Sequence, residues 1–121
     1  MIDPVEDIES LLKVIKEHEG ERTFVQYIGT PLPDGKNWCP DCEKAEPIIL
    51  DSLKYLPKNS VFLTVWVGDR PTWKDPDNVF RTYPLCKVSS IPTLAEFNTK
   101  RRLSGDDILR EDLIKTLFEE E

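Results

Sequence analysis

The seven residues "VFLTVWV", 61–67, constrain this chain more than any other stretch. They are nearly all apolar and rich in β-branched and aromatic side chains, so they read as a strand. They fall far short of the roughly 20 residues needed to span a bilayer. A strand that is apolar on both sides of its pleat is expected to be covered on both faces. The rest of the chain must then supply apolar helix faces for either side.

The remaining pattern does so. A first helix is expected with Asp3 as cap, Pro4 at its first position and Glu6 completing a capping-box spacing. Val5, Ile8, Leu11, Leu12 and Ile15 then recur at helical intervals, and Gly20 is a stop. Residues 23–28 read as a strand, and "GTPLPDGKN" as a loop that delivers the chain to Trp38. Residues 40–56 are helical in pattern, with Ala45, Ile48, Ile49, Leu53 and Leu56 as the apolar stripe. After 61–67, in which Trp66 is taken as core, "GDRPTWKDPDN" is a loop leading to a short helix capped by Asp75, begun by Pro76 and ended by Pro84. Residues 92–97 form a strand, 98–100 a turn and 101–103 a short returning strand. From Asp106 a last helix places Ile108 or Leu109, Leu113, Ile114, Leu117 and Phe118 on one face.

The order α-β-α-β-α-β-β-α predicts an α/β three-layer sandwich: a mixed central sheet between helices on both faces. Two parallel strands are joined by a right-handed crossover, and a terminal hairpin adds an antiparallel pair. With 121 residues and no repeat or linker, 1–121 reads as a single domain.

Charge narrows the function classes. The net charge of −7, with acids spread along the chain, argues against nucleic acid and anionic membrane as partners, since both require clustered Lys and Arg. The acidic start "MIDPVEDIES" lacks the basic and apolar regions of a secretory signal. Three cysteines are an odd, low count, unlike the disulfide frameworks of small secreted domains. The expected setting is cytoplasmic, and the simplest expected state a monomer.

The chemistry is concentrated in "NWCPDCEKAEP", residues 37–47. If the helix begins beside Cys39, the two sulfurs lie one turn apart and within reach of a disulfide after a small adjustment. Cys39 then meets unpaired backbone N–H groups and the positive end of the helix dipole, which favour its thiolate. Cys42 sits deeper in the first turn. That asymmetry makes Cys39 the nucleophile and Cys42 the resolving thiol. Pro40 is pre-shaped for a helix start and Pro47 removes a helical hydrogen bond. The charge of Asp41 suits a helix N-terminus but opposes a nearby thiolate, so its sign is open. Trp38 can shield the sulfur and, with Pro40, meet an incoming chain. A zinc site would need a second ligand pair, and only Cys86 and the lone His18 remain, so no metal is expected. A permanent disulfide closing so short a loop stabilises little.

"WCPDC" followed by Pro47, and "SSIPTL" some way downstream, resemble the thioredoxin superfamily. The Pro–Asp dipeptide, the longer loop before Trp38 and "VGDRPTWKDPDNVFR" resemble more closely its Clot-type family, that of thioredoxin domain-containing protein 17. The resemblance covers nearly the whole chain. It implies a thioredoxin-like sheet of four strands, or five if residues around Ile2 supply a stub. It implies that Ile91–Pro92 is a cis peptide bond beside the cysteine pair, and that Ser90 and Ile91 pair with an extended substrate. It further implies a disulfide reductase of the cytosol with no bound cofactor, recycled by thioredoxin reductase with electrons from NADPH. Its substrates would be selected protein disulfides and small disulfides such as cystine.

One departure stands out. Thioredoxins carry a buried aspartate on the strand leading to the motif, whereas "FVQYIG" has no acid and offers Gln26 or its neighbours instead. The proton of Cys42 is then expected to move through Asp41, Glu43 or water. Trp73 in its Pro-rich loop is either a recognition aromatic or a cover for the end of the sheet. Cys86 reads first as a small hydrophobe. A redox-sensitive binding module without turnover remains the alternative to an enzyme.

Overall fold

The computed structural model describes residues 2–120; Met1 and Glu121, the last of the acidic end, lie outside them. The elements are α1 (Ile8–Glu17), β1 (Arg22–Ile28), α2 (Pro40–Ser52), β2 (Ser60–Trp66), α3 (Arg70–Lys74), α4 (Val79–Thr82), β3 (Thr93–Glu96), β4 (Arg102–Ser104) and α5 (Glu111–Glu119). The sheet order is β2-β1-β3-β4. β1 and β2 run parallel, with Arg22 opposite Ser60 and Ile28 opposite Trp66. β3 is antiparallel to both β1 and β4. This is the mixed four-stranded sheet expected from the sequence.

Alternation along β1 distributes its side chains to two cores. Val25 and Tyr27 pack with Leu63 and Val65 of β2 and with Leu11, Trp73 and Phe80 from α1, α3 and α4. Phe24 faces the other way, with Ala45 and Ile49 of α2 and Ile114, Leu117 and Phe118 of α5. The Phe24 and Phe118 rings meet edge to face at 4.9 Å. Each such fully buried aromatic contributes about 1.5–3 kcal/mol from burial.

Several boundaries differ from expectation, for reasons of tertiary contact. Asp3 and Pro4 do not begin α1. Asp7 caps it, its Oδ1 accepting the Ser10 N–H at 2.7 Å. Val5 is instead captured by the edge of β2: it pairs with Val65 in a single parallel bridge, donating to the Thr64 carbonyl and accepting from the Trp66 N–H. The fifth strand is thus one residue pair. β2 is an edge strand, so its apolar run is covered unevenly: Val61, Leu63 and Val65 are buried, but Phe62, Thr64 and Trp66 only partly. Trp66 is not core. α2 stops at Ser52 and passes into a 3-10 turn, Leu53–Tyr55. Asp75 and Pro76 start no helix; Asp69 caps α3 and Asn78 caps α4. The final segment also begins as a 3-10 turn, Gly105–Leu109, which buries Ile108 and leaves Leu109 exposed before α5 starts.

Candidate active site

The cysteine pair lies where β1 passes the chain to α2, at the carboxyl ends of the two parallel strands. Cys39 is the N-cap of α2 and Pro40 its first residue. The Cys39 sulfur takes the place of a capping side-chain oxygen and accepts the Cys42 N–H at 3.2 Å. Both cysteines are buried, at 6% and 4% exposure, and neither is in a disulfide. The Cys39 thiol is lowered from 9.0 to about 7. The hydrogen bond from the Cys42 side chain is the main cause; burial works against it, and the Cys42 N–H assists. Cys42 is pushed well above the ordinary thiol range, first by donating that hydrogen bond and then by burial, although the Gly29 N–H acts in the opposite direction. One sulfur is thus poised as a thiolate at neutral pH while the other holds its proton.

Asp41 acts on Cys39 in two ways. Its charge raises the thiol, ahead of the opposing contribution of its backbone N–H. The residue itself is exposed.

The loop before Trp38 is held by Asn37, a residue that sequence reasoning passed over. Its Oδ1 accepts the Cys39 N–H at 2.9 Å, its Nδ2 donates to the Gly29 carbonyl at 2.7 Å, and its own N–H donates to Glu43 Oε1 at 2.9 Å. Trp38 is half-buried, and its Nε1 donates to the Gly68 carbonyl at 3.0 Å, tying the motif to the loop after β2. Gly29 is required by space: a Cβ there would lie 2.7 Å from both Asn37 Oδ1 and the Trp38 ring. No sequence signal marks Asn37 or Gly29, because their roles are long-range contacts.

The Ile91–Pro92 peptide bond is cis, and the Ile91 carbonyl lies 3.9 Å from the Cys39 sulfur. Pro92 is buried and Ser90 is exposed. The Ile91 N–H makes no hydrogen bond among the described residues. In front of Cys39 a cleft of about 340 Å³ is bounded by residues 38–41, by Arg70, Trp73 and Lys74 of α3, by Arg81, and by residues 89–91. Trp73 is 3% exposed, so it is a wall of this cleft and part of the core beneath it. Arg81 stacks on it at 3.7 Å and donates to the Trp73 and Ser89 carbonyls, holding two walls together.

Behind the pair is a second cavity of about 220 Å³, bounded by Gln26, Ile28, Cys42, Glu46, Ile49 and Leu50. Gln26 Nε2 donates to Thr64 Oγ1 at 2.9 Å. Of the acids expected to serve Cys42, Glu43 is engaged with Asn37 and Asp41 lies on the front cleft. The acid in the rear cavity is Glu46. Cys86 is wholly buried against Tyr27, and burial raises its thiol. His18 sits 3.1 Å from Glu21. No group of three or more His, Cys, Asp or Glu suited to a metal occurs among the described residues, nor is any helix among them long and apolar enough to cross a membrane.

Known proteins match this sequence over most of its length. The model of the thioredoxin domain-containing protein 17-like family, thioredoxin domain, matches residues 2–120. Thioredoxin domain-containing protein 17 of Mus musculus is 39% identical over 90% of this chain and 87% of its own length. The Homo sapiens protein of that name is 36% identical over 97% and 94%. The thioredoxin-like protein Clot of Arabidopsis thaliana is 34% identical over 75% and 71%. Among solved structures, the germline-specific thioredoxin Deadhead of Drosophila melanogaster superposes with a TM-score of 0.51 at 19% identity, over 85% of this chain and 83% of that one, which speaks for the fold. A thioredoxin-type sheet, a sulfur capping α2 and a family match over almost every residue place this chain in the thioredoxin domain-containing protein 17-like family.

Proposed function

We propose that this chain is a thiol–disulfide reductase acting on selected protein disulfides and on small disulfides such as cystine. Electrons come from NADPH through thioredoxin reductase, no cofactor is bound in the domain, and the protein works as a monomer in the cytoplasm. The observation that carries this reading is the Cys39 sulfur at the N-cap of α2, with a thiol lowered to about 7.

The Cys39 thiolate attacks one sulfur of the substrate; the S–S bond breaks and the far sulfur departs as a thiolate, which takes a proton from solvent. A mixed disulfide remains. Forming it removes the negative charge that Cys42 was stabilising, so the Cys42 proton is free to leave. The rear cavity has room for water beside Cys42, and Glu46 faces it. Water there, with Glu46, is the acceptor we assign. The Cys42 thiolate then displaces the second half of the substrate, leaving a Cys39–Cys42 disulfide and two substrate thiols. The Ile91 N–H, unbonded among the described residues, and the Ile91 carbonyl beside the Cys39 sulfur offer strand-like pairing to a substrate segment, and Ser90, Trp38, Pro40 and Trp73 border it.

With NADPH, thioredoxin reductase and excess disulfide, many equivalents of NADPH should be consumed per protein. Consumption of a single equivalent would favour a redox-sensitive binding module instead. Cys42→Ser should stall as mixed disulfides through Cys39, and Cys39→Ser should capture almost none; equal capture overturns the roles.

A further inference from the structure

The chain carries a net charge of −7, yet the wall of the cleft facing the nucleophile is cationic. Arg70 and Lys74 stand four residues apart on α3, hence on one face and about 5–6 Å apart at Cβ. Both are exposed and both border the cleft. Neither makes an ion pair or a side-chain hydrogen bond among the described residues. Nearby acids do not neutralise them: the Asp69 carboxylate is turned onto the Thr72 N–H at 3.0 Å, and Asp75 Oδ1 accepts the Asp77 N–H at 2.9 Å. Arg81, the third cation, is occupied by Trp73 and Ser89. Against two unpaired cations the cleft sets one carboxylate, Asp41. A cleft of about 340 Å³ is also the size of a small ligand.

We infer that Arg70 and Lys74 make this cleft select small disulfides that carry carboxylates close to the sulfur–sulfur bond. The inference rests on the reductase reading above and names the residues that set its selectivity among small disulfides. The substrate's carboxylates meet the two cations as its sulfur meets Cys39. The electrons are those of the Cys39–Cys42 dithiol, and the products are the protein disulfide and two carboxylate-bearing thiols.

The test uses the full chain, pre-reduced, in single turnover with three probes: dithiodipropionate (anionic), hydroxyethyl disulfide (neutral) and cystamine (cationic). Each rate is normalised to the same probe reacting with free dithiothreitol. Wild type should prefer the anionic probe to the neutral one by about tenfold at low salt, and disfavour the cationic one. The preference should collapse toward unity in the Arg70→Gln/Lys74→Gln variant and at about 1 M salt, where screening acts within about 3 Å. Arg70→Lys/Lys74→Arg should retain it. Hydroxyethyl disulfide reduction and the pH profile of Cys39 alkylation should not change in any variant. Equal rates for all three probes in wild type, or an undiminished preference in the Gln variant, would overturn the inference while leaving the reductase intact. A wild-type protein that reduces none of the probes overturns the reductase reading and this inference with it.

Discussion

The two ends of the sheet are built on opposite plans. At the end where β1 begins, charges are closed on one another. Arg22 forks onto Glu96 with Nε and Nη2 at 2.9 and 3.0 Å and also donates to the Phe118 and Glu120 carbonyls. Arg101 adds a second contact to the same carboxylate at 3.6 Å. This ties β1, β3 and the end of α5 together, with Glu96 buried among cations. At the end where β1 finishes, charges are left open: Arg70 and Lys74 face a cleft, and the Cys39 sulfur is held by the Cys42 N–H and thiol beside the Ile91 carbonyl. One end spends its polar groups on holding strands; the other leaves them facing a cleft. The difference predicts that stability and thiol chemistry are separable here, each resting on a different end of the same strand.

The sharpest way to break that separation is at the closed end. Glu96→Ala removes a carboxylate that two guanidinium groups share. Because Arg22 is partly solvated and keeps its carbonyl partners, the loss should be about 2–3 kcal/mol, below that of a fully buried pair. Urea unfolding measures this, while the alkylation rate of Cys39 in the folded protein should stay at the wild-type value. A large change in that rate would show the ends to be coupled. At the open end, Gly29→Ala forces a Cβ into Asn37 and Trp38 and should cost about 1–3 kcal/mol. Here the same urea experiment should be accompanied by an altered Cys39 alkylation rate, since the Asn37 oxygen that holds the Cys39 N–H is displaced.

The smallest effect concerns pH. Only the thiolate reacts, and it is populated above the thiol's pKa. Alkylation of Cys39 should therefore rise about tenfold per pH unit below about 7 and level off above it. Asp41→Asn removes a charge that raises this thiol and keeps the N–H that lowers it. The midpoint should move down, with a gain at pH 6 of less than about threefold. An upward move would reverse the sign assigned to Asp41.

What the sequence determined by itself was local. A Cys-Pro-Asp-Cys spacing at the start of a helical stripe is enough to set one sulfur at the N-cap and the other a turn behind, because capping depends on backbone geometry within four residues. The layer order was equally legible, since periodicity of two or of 3.6 reports which faces must be covered. Tertiary structure decided what depends on distant partners. Val5 fits a helical stripe but is taken by the β2 edge, and Trp66 fits a core strand but lies on the outer strand of the sheet. The Gln26 side of the cavity behind Cys42 comes from β1, while Glu46 lines it from one turn further along α2. Arg70, Lys74 and Ile91 converge on Cys39 across tens of residues of chain. Local hydrogen bonding acts before the chain is folded; convergence of this kind exists only after the two cores have formed.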